Sequence, residues 1–468
     1  MKLRGRGKDF YWIRSGFFTI LQNLSGVFFG FASFYLLVHY LLDEHTFGSW
    51  TLFLSAVTVL EIVRSGLVQN ALIKFISGSD EAEHPKIISS SFIIMGILTI
   101  GCIIISLIFS PILANAWDSP ELIPIFHLYN VVFLLSGILV QFNCIEQANF
   151  KFRGIFISSF VRQGIFTGYL FACFILNIKV ELVNLVYLQI FTILISLFLS
   201  YRYVKPNLNL SFKIYPEWIK KMYHFSKYAF GTSVSGILAN TIDQMMVGAM
   251  ISPTASGAFN VAVRITNLVD IPTNAVATIV FPQSAMRIET EGKEAIKYLY
   301  EKSVGVLLAI LIPAVLFLFL ISDYVVYVIV GNNYDDAVSL LHVTLLYSLL
   351  IPYGRQVGTI LDSIGKTRVT FFIVLATASV NIGLNYPMIA YFGVMGAAYA
   401  SLVAAIFGFF IAKIILRKEL NIRLRNTLIY AYKFYPEMYD KYYIRAKRVL
   451  YSRMKKRKSF SSTNNKNK

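Results

Sequence analysis

Apolar runs of about twenty residues recur along this chain from end to end, and that pattern excludes almost every soluble fold. A helical run of this length matches the thickness of bilayer hydrocarbon, and a helix pairs its own N–H and C=O groups where no water can. Twelve spanning segments are predicted, over residues 15–42, 47–73, 87–113, 121–145, 154–177, 182–201, 224–251, 256–284, 303–330, 338–361, 368–391 and 394–416. With 56% of its 468 residues hydrophobic, the chain reads as an all-α, polytopic membrane protein. The basic start, Lys2 to Lys8, resembles a signal peptide, but the apolar stretch behind it is too long for one and has no small-x-small exit. It reads as a retained first helix.

A formal net charge of +18 would suit nucleic acid, but the basic residues have first to be placed relative to the membrane. With the N-terminus inside, the outer loops hold Asp43, Glu44, Asp118, Asp335 and Asp336 against one basic residue, Lys179. The inner loops hold Lys151, Arg153, Lys366, Arg368, the basic connection after Tyr201 and the whole basic tail. The bias puts both termini in the cytoplasm and removes the case for nucleic acid. Four parts follow: a six-helix lobe over residues 1–201, a cytoplasmic linker over 202–223, a second six-helix lobe over 224–416 and a basic cytoplasmic tail over 417–468. Residues 287–302 and the neighbourhood of Trp218 are expected to lie as short amphipathic helices on the inner face, and the last ten residues to be disordered.

A weak repeat relates the halves. The second helix is entered through Gly48-Ser-Trp and the eighth through Gly257-Ala-Phe, and this offset of 209 places Glu61 on Asp270. Gln141 and Gln356 match at an offset of 215. Three charges, Asp243, Arg264 and Asp270, fall between Tyr228 and Pro282, where two long segments are joined by a short turn. Asp243 and Arg264 stand equally far from that turn, so they lie at one depth, either as a structural ion pair or along a pathway.

Charge at membrane depth is costly and marks function or pairing. Four arginines sit inside spanning segments: Arg64, Arg162, Arg264 and Arg355. The guanidinium stays charged and holds phosphate bidentately, so a ladder of arginines suits an anionic group moving between leaflets. The bland alternative is pairing, Arg64 with Glu61 at i, i+3 and Arg264 with Asp243. Glu61, Asp243 and Asp270 are candidates for coupling to H+ or Na+, or for neutralising the arginines. Pro272 is expected to bend its helix. His39, His127 and His342 read as packing residues, and Gly26 with Gly30 as a close helix contact. Cys102, Cys144 and Cys173 have no metal-ligand spacing, and no metal or other cofactor is expected. Gly365-Lys366-Thr367 ends like a phosphate-binding loop but lacks the first glycine and the preceding strand. No catalytic motif is present, so an enzyme is not expected.

The chain resembles the oligosaccharide/polysaccharide (Wzx-type) flippases of the multidrug/oligosaccharidyl-lipid/polysaccharide exporter superfamily over roughly residues 10–416. The resemblance is carried by Tyr228-Ala-Phe-Gly231 with Asp243 and Gly248, by Ser256 to Ile265, by Phe281-Pro282, by Gly365-Lys366, and by Asn381 to Asn385 with Tyr391 to Ala398. The family often has Gly-x-Tyr where this chain has Gly257-Ala258-Phe259. The resemblance implies two six-helix lobes around a central cavity of alternating access. It also implies an undecaprenyl-diphosphate-linked sugar unit, such as a polysaccharide or O-antigen repeat, carried across a bacterial inner membrane among membrane lipids and polysaccharide assembly proteins. The rival readings are an ion-coupled exporter of drugs or small metabolites, against which four arginines argue, and a membrane glycosyl polymerase or acyltransferase, for which the outer loops are too short.

Overall fold

The computed structural model describes residues 5–149, 151–211, 213–331 and 336–439; Asp335 and the tail beyond residue 439, including its last ten residues, lie outside them. The chain forms fifteen α-helices among the described residues: α1 Gly5–Leu36, α2 Glu44–Gly78, α3 His84–Ala116, α4 Leu122–Ala148, α5 Phe152–Ile175, α6 Leu182–Val204, α7 Pro216–Met250, α8 Pro253–Thr290, α9 Lys293–Leu320, α10 Ser322–Val330, α11 Ala337–Ser348, α12 Ile351–Ser363, α13 Thr367–Phe392, α14 Val394–Leu420 and α15 Leu424–Met438. Nine of the described helices are long and apolar enough to cross a membrane, and α11 with α12 makes a tenth span if the two are taken together. At 35 and 38 residues α7 and α8 are longer than most, but their polar and charged side chains keep them out of that set. The protein is a multi-pass, all-helical membrane protein.

Local chemistry sets the boundaries. Asp43 accepts the Thr46 N–H at 2.9 Å and the Thr46 hydroxyl at 2.8 Å, which starts α2 at Glu44. Several expectations are corrected. Residues 287–302 form no separate surface helix: α8 runs on to Thr290, a turn at Glu291 and Gly292 follows, and α9 begins at Lys293. The segment over 303–330 breaks at Ile321 into α9 and α10. The segment over 338–361 is bent by 40° between α11 and α12, where Pro352 lacks an N–H and disfavours the helical conformation in the residue before it. Pro272, by contrast, sits inside an unbroken α8. Trp218 lies in the first turns of α7 rather than on a surface helix of its own.

The chain divides into two compact units. The first comprises the described residues of Met1–Arg264, Ser322–Thr344 and Phe371–Ala404. Its core joins α2, α3, α4 and α7 through Val68, Leu72, Ile87, Ile88, Ile145 and Met222. Lipid tails are as apolar as these side chains, so close packing rather than transfer from water holds such helices together. The entrances of α2 and α8 touch so closely that a Cβ on Gly48 would lie 1.9 Å from the Pro253 carbonyl oxygen, a position only glycine can fill.

The second unit comprises the described residues of Ile265–Ile321, Leu345–Thr370 and Ala405–Lys468. Its unexpected member is α15, which the polar composition after Arg417 did not announce. This helix crosses α9 at Gly305, where a Cβ would fall 2.7 Å from the Thr427 carbonyl oxygen. Buried Glu301 accepts the Arg423 N–H and the Asn426 amide, both at 2.9 Å, and so supplies the acceptor that the start of α15 lacks in its own sequence. Tyr435 donates to the Ala309 carbonyl at 2.6 Å, and Tyr353 shares a hydrogen bond with Thr427 at 3.1 Å.

Candidate functional site

Within the first unit, α1, α2, α4, α5, α6 and α8 enclose a cavity of about 570 Å³. Three of the four sequence-identified arginines, Arg64, Arg162 and Arg264, line it together with Glu61. They differ in what they touch. Arg64 is 1% exposed, lies 3.9 Å from Glu61, donates to the Phe133 carbonyl and packs over the Phe133 ring. Its guanidinium is committed to fastening α2 to α4, and it realises the i, i+3 pairing expected from the sequence. Arg264 lies over the Phe34 ring at 4.8 Å and donates to the Gly30 carbonyl at 3.4 Å, with no carboxylate beside it among the described residues. Arg162 makes no hydrogen bond or ion pair with any described residue. Among the described residues, the cavity therefore presents two cations, Arg162 and Arg264, that form no ion pair.

Glu61 faces the same space, about a third exposed. One of its oxygens accepts from Tyr129 and Ser136, both at 3.4 Å. Gly26 and Gly30, expected to make a close helix contact, instead line the cavity: nothing lies within 4 Å of a Cβ on Gly30. The missing side chains leave room rather than closing it.

Asp243 and Arg264 are not a pair. Equal distance from the turn fixes depth but not the direction a side chain takes around its helix. Asp243, 4% exposed, accepts from Asn385 at 2.5 Å and from Ser401, while Asn385 also donates to Asn381 at 3.3 Å and Asn381 to Ser401 at 3.3 Å. A carboxylate of α7 is thus enclosed by neutral polar groups of α13 and α14, with no cation beside it among the described residues.

Arg355 and Asp270 belong to the second unit, where they pair at 3.2 Å, and Asn274 donates to the same carboxylate at 3.2 Å. Arg355 is not among the residues that line the cavity of the first unit. The matched glutamines part company as well: Gln141 exchanges hydrogen bonds with Ser91 at 3.0 Å, whereas buried Gln356 has no partner on either amide atom. His39, His127 and His342 each hold a hydrogen bond, to the Ile329 carbonyl, Ser110 and Ser322, in keeping with packing roles. The three cysteines are free and buried.

The sequence reading missed the neutral polar groups. Tyr129 and Ser136 are seven residues apart on α4, and Asn381 and Asn385 are four apart on α13, so each pair shares a helix face; that spacing is the signal that could have found them.

The site is thus a mostly apolar cavity carrying a few arginines and amides, set among the helices of a multi-pass protein. The fold is similar to that of solved structures: it aligns with the inward-facing form of a multidrug resistance MATE family transporter of the MOP superfamily at a TM-score of 0.72 and 17% identity, over 83% of this chain and 94% of that one. It aligns equally well, at 0.72 and 15% identity, with the lipid II flippase MurJ in an inward closed conformation, over 89% of this chain and 90% of the other. Residues 38–339 match the polysaccharide biosynthesis protein family, and the chain belongs to that family. Among its relatives, the lipopolysaccharide biosynthesis protein WzxC of Escherichia coli K12 is 21% identical over 380 residues, 80% of this chain and 73% of that protein. A probable low-salt glycan biosynthesis flippase of Haloferax volcanii, Agl15, is 22% identical over 182 residues, 39% of either chain.

Proposed function

We propose that the protein is a flippase for a lipid-linked glycan. The observation that carries the reading is the cavity of the first unit, in which Arg162 and Arg264 stand without a protein anion. A diphosphate leaving the headgroup layer loses hydration, and guanidinium forks are the favourable replacement. The volume suits a headgroup and its first sugars, falling within the range of about 300–1,000 Å³ usual for small-ligand sites, while the lipid tail stays in the bilayer. Arg64 then positions Glu61 and α4 rather than the cargo, and Arg355 acts through Asp270.

The reading extends to particulars. The cargo is an undecaprenyl-diphosphate-linked oligosaccharide, a polysaccharide or O-antigen repeat unit. It passes from the cytoplasmic to the outer leaflet of a bacterial inner membrane by alternating access of two six-helix lobes, twelve spans in all with α7 and α8 included, and both termini are cytoplasmic. Uptake of H+ or Na+ at Asp243, within its shell of Asn381, Asn385 and Ser401, drives the cycle. Export of cationic drugs is disfavoured because Glu61, the one cavity carboxylate among the described residues, already lies beside Arg64.

In liposomes holding an undecaprenyl-diphosphate-linked glycan, the protein should accelerate movement of the glycan between leaflets, and Arg162→Ala or Arg264→Ala should slow it by about tenfold to a hundredfold, the worth of a charged hydrogen bond. A wild-type protein that leaves the movement unchanged would refute the reading.

A further inference from the structure

Each unpaired cation of the cavity has a carboxamide neighbour. Gln163 follows Arg162 directly on α5, and Asn260 precedes Arg264 by four residues on α8, one turn away on the same face. Both amides line the cavity, and so does Asn143 of α4. In all three the amide carbonyl oxygen is buried without a hydrogen-bond partner among the described residues. A native protein seldom leaves buried acceptors unmet, and here three helices bring one each to the wall of a single cavity. The Asn260 amide nitrogen donates to Gln244 at 3.0 Å, which fixes the group and leaves its oxygen over. Facing Gln163 across the wall is a glycine: a Cβ on Gly26 would lie 3.9 Å from the Gln163 amide oxygen, at ordinary contact distance.

We infer that Gln163, Asn260 and Asn143 form a sugar-reading site that recognises the hydroxyl and acetamido groups of the first sugar attached to the diphosphate. The inference rests on the flippase reading and deepens it. A phosphate held by Arg162 or Arg264 places the sugar one bond further on, within reach of a side chain one residue or one turn away. Carboxamides suit this task because each offers an acceptor and two donors, matching the mixed donors and acceptors of a sugar without adding charge. The arginines supply attraction to any polyprenyl diphosphate; the amides make the cavity prefer one that carries a sugar.

The test uses the full chain in nanodiscs and two probes, undecaprenyl diphosphate and undecaprenyl-diphosphate-linked N-acetylglucosamine, with affinity read from tryptophan fluorescence, Trp50 lying in the cavity wall. The wild type should bind the sugar-bearing probe about tenfold more tightly, the equivalent of one well-made hydrogen bond. Gln163→Leu and Asn260→Leu, each checked for folding by its melting curve, should bring the two affinities together while leaving the affinity for undecaprenyl diphosphate unchanged. Gln163→Asn, which keeps the amide, should retain part of the preference. Equal wild-type affinities, leucine variants that keep the preference, or leucine variants that weaken both probes alike would overturn the site and leave the flippase reading standing. A wild type that binds neither probe would defeat the flippase reading and the site together.

Discussion

Glu61 with Arg64 and Asp270 with Arg355 are the same idea carried out in two places. Each unit holds a carboxylate beside an arginine, and the carboxylates are matched by the internal repeat, yet the pairs are built differently. Arg64 is 1% exposed and comes from the same helix as Glu61, one turn on; Arg355 is 48% exposed and comes from α12, whereas Asp270 lies on α8. The first arginine is locked by the Phe133 carbonyl and ring, and the second has only the carboxylate. The two carboxylates that the weak sequence repeat aligns thus share a chemistry but not a mechanical role. Asp243 marks the limit of the comparison, because it has amides and a hydroxyl where the other two have a cation.

The largest effect should separate the two arginines by stability. Arg64→Ala strips a buried group from both Glu61 and α4 and should cost about 3–5 kcal/mol, whereas Arg355→Ala, at a half-exposed pair, should cost less than about 1 kcal/mol. Melting curves in detergent decide it, and equal losses would erase the distinction.

The next effect concerns transport. Arg264→Ala should lower flipping by about tenfold to a hundredfold at normal abundance, and adding Asp243→Asn should not restore it, because the two side chains are not partners. Rescue by the double change would reinstate the ion pair read from the sequence.

Asp243→Asn alone should abolish the dependence of transport on an imposed H+ or Na+ gradient, while Asp270→Asn should leave that dependence in place; the opposite result would move coupling to the arginine-paired carboxylate. At Gly30, where the cavity is open, Gly30→Phe should leave the protein folded and remove binding of undecaprenyl diphosphate. Retained binding would place the cargo elsewhere.

The smallest expected effect lies outside the spanning segments. Burial disfavours charge on Asp43, but the Thr46 amide and hydroxyl outweigh it and hold its carboxyl below the ordinary carboxylate value. A depressed folded-state value contributes stability that is present above the unfolded value and lost as pH falls through the folded one. Asp43→Ala should therefore cost about 1 kcal/mol at neutral pH, and the difference from wild type should shrink on acidification.

Composition and the length of the apolar runs determined the class, because a bilayer accepts only segments that bury their own backbone groups, and that requirement is written residue by residue. The arginines and carboxylates were legible for the same reason: a charge in an apolar run stands out whatever surrounds it. Partnership was not. Arg64 and Glu61 could be paired from sequence because three residues on one helix fix their relative direction, whereas Asp243, Asp270, Arg264 and Arg355 find their neighbours on other helices, whose rotation no spacing reveals. The same holds for α15. Its polar, tyrosine-rich sequence lacks a start signal of its own, and only the carboxylate of Glu301 and the gap at Gly305, both on α9, provide its start and its seat. Neutral polar groups were the hardest to read, because an Asn or Gln in an apolar run is as much at home in packing as in binding. Only the tertiary structure decided that Asn143, Gln163 and Asn260 meet at one cavity with their carbonyl oxygens unpaired among the described residues.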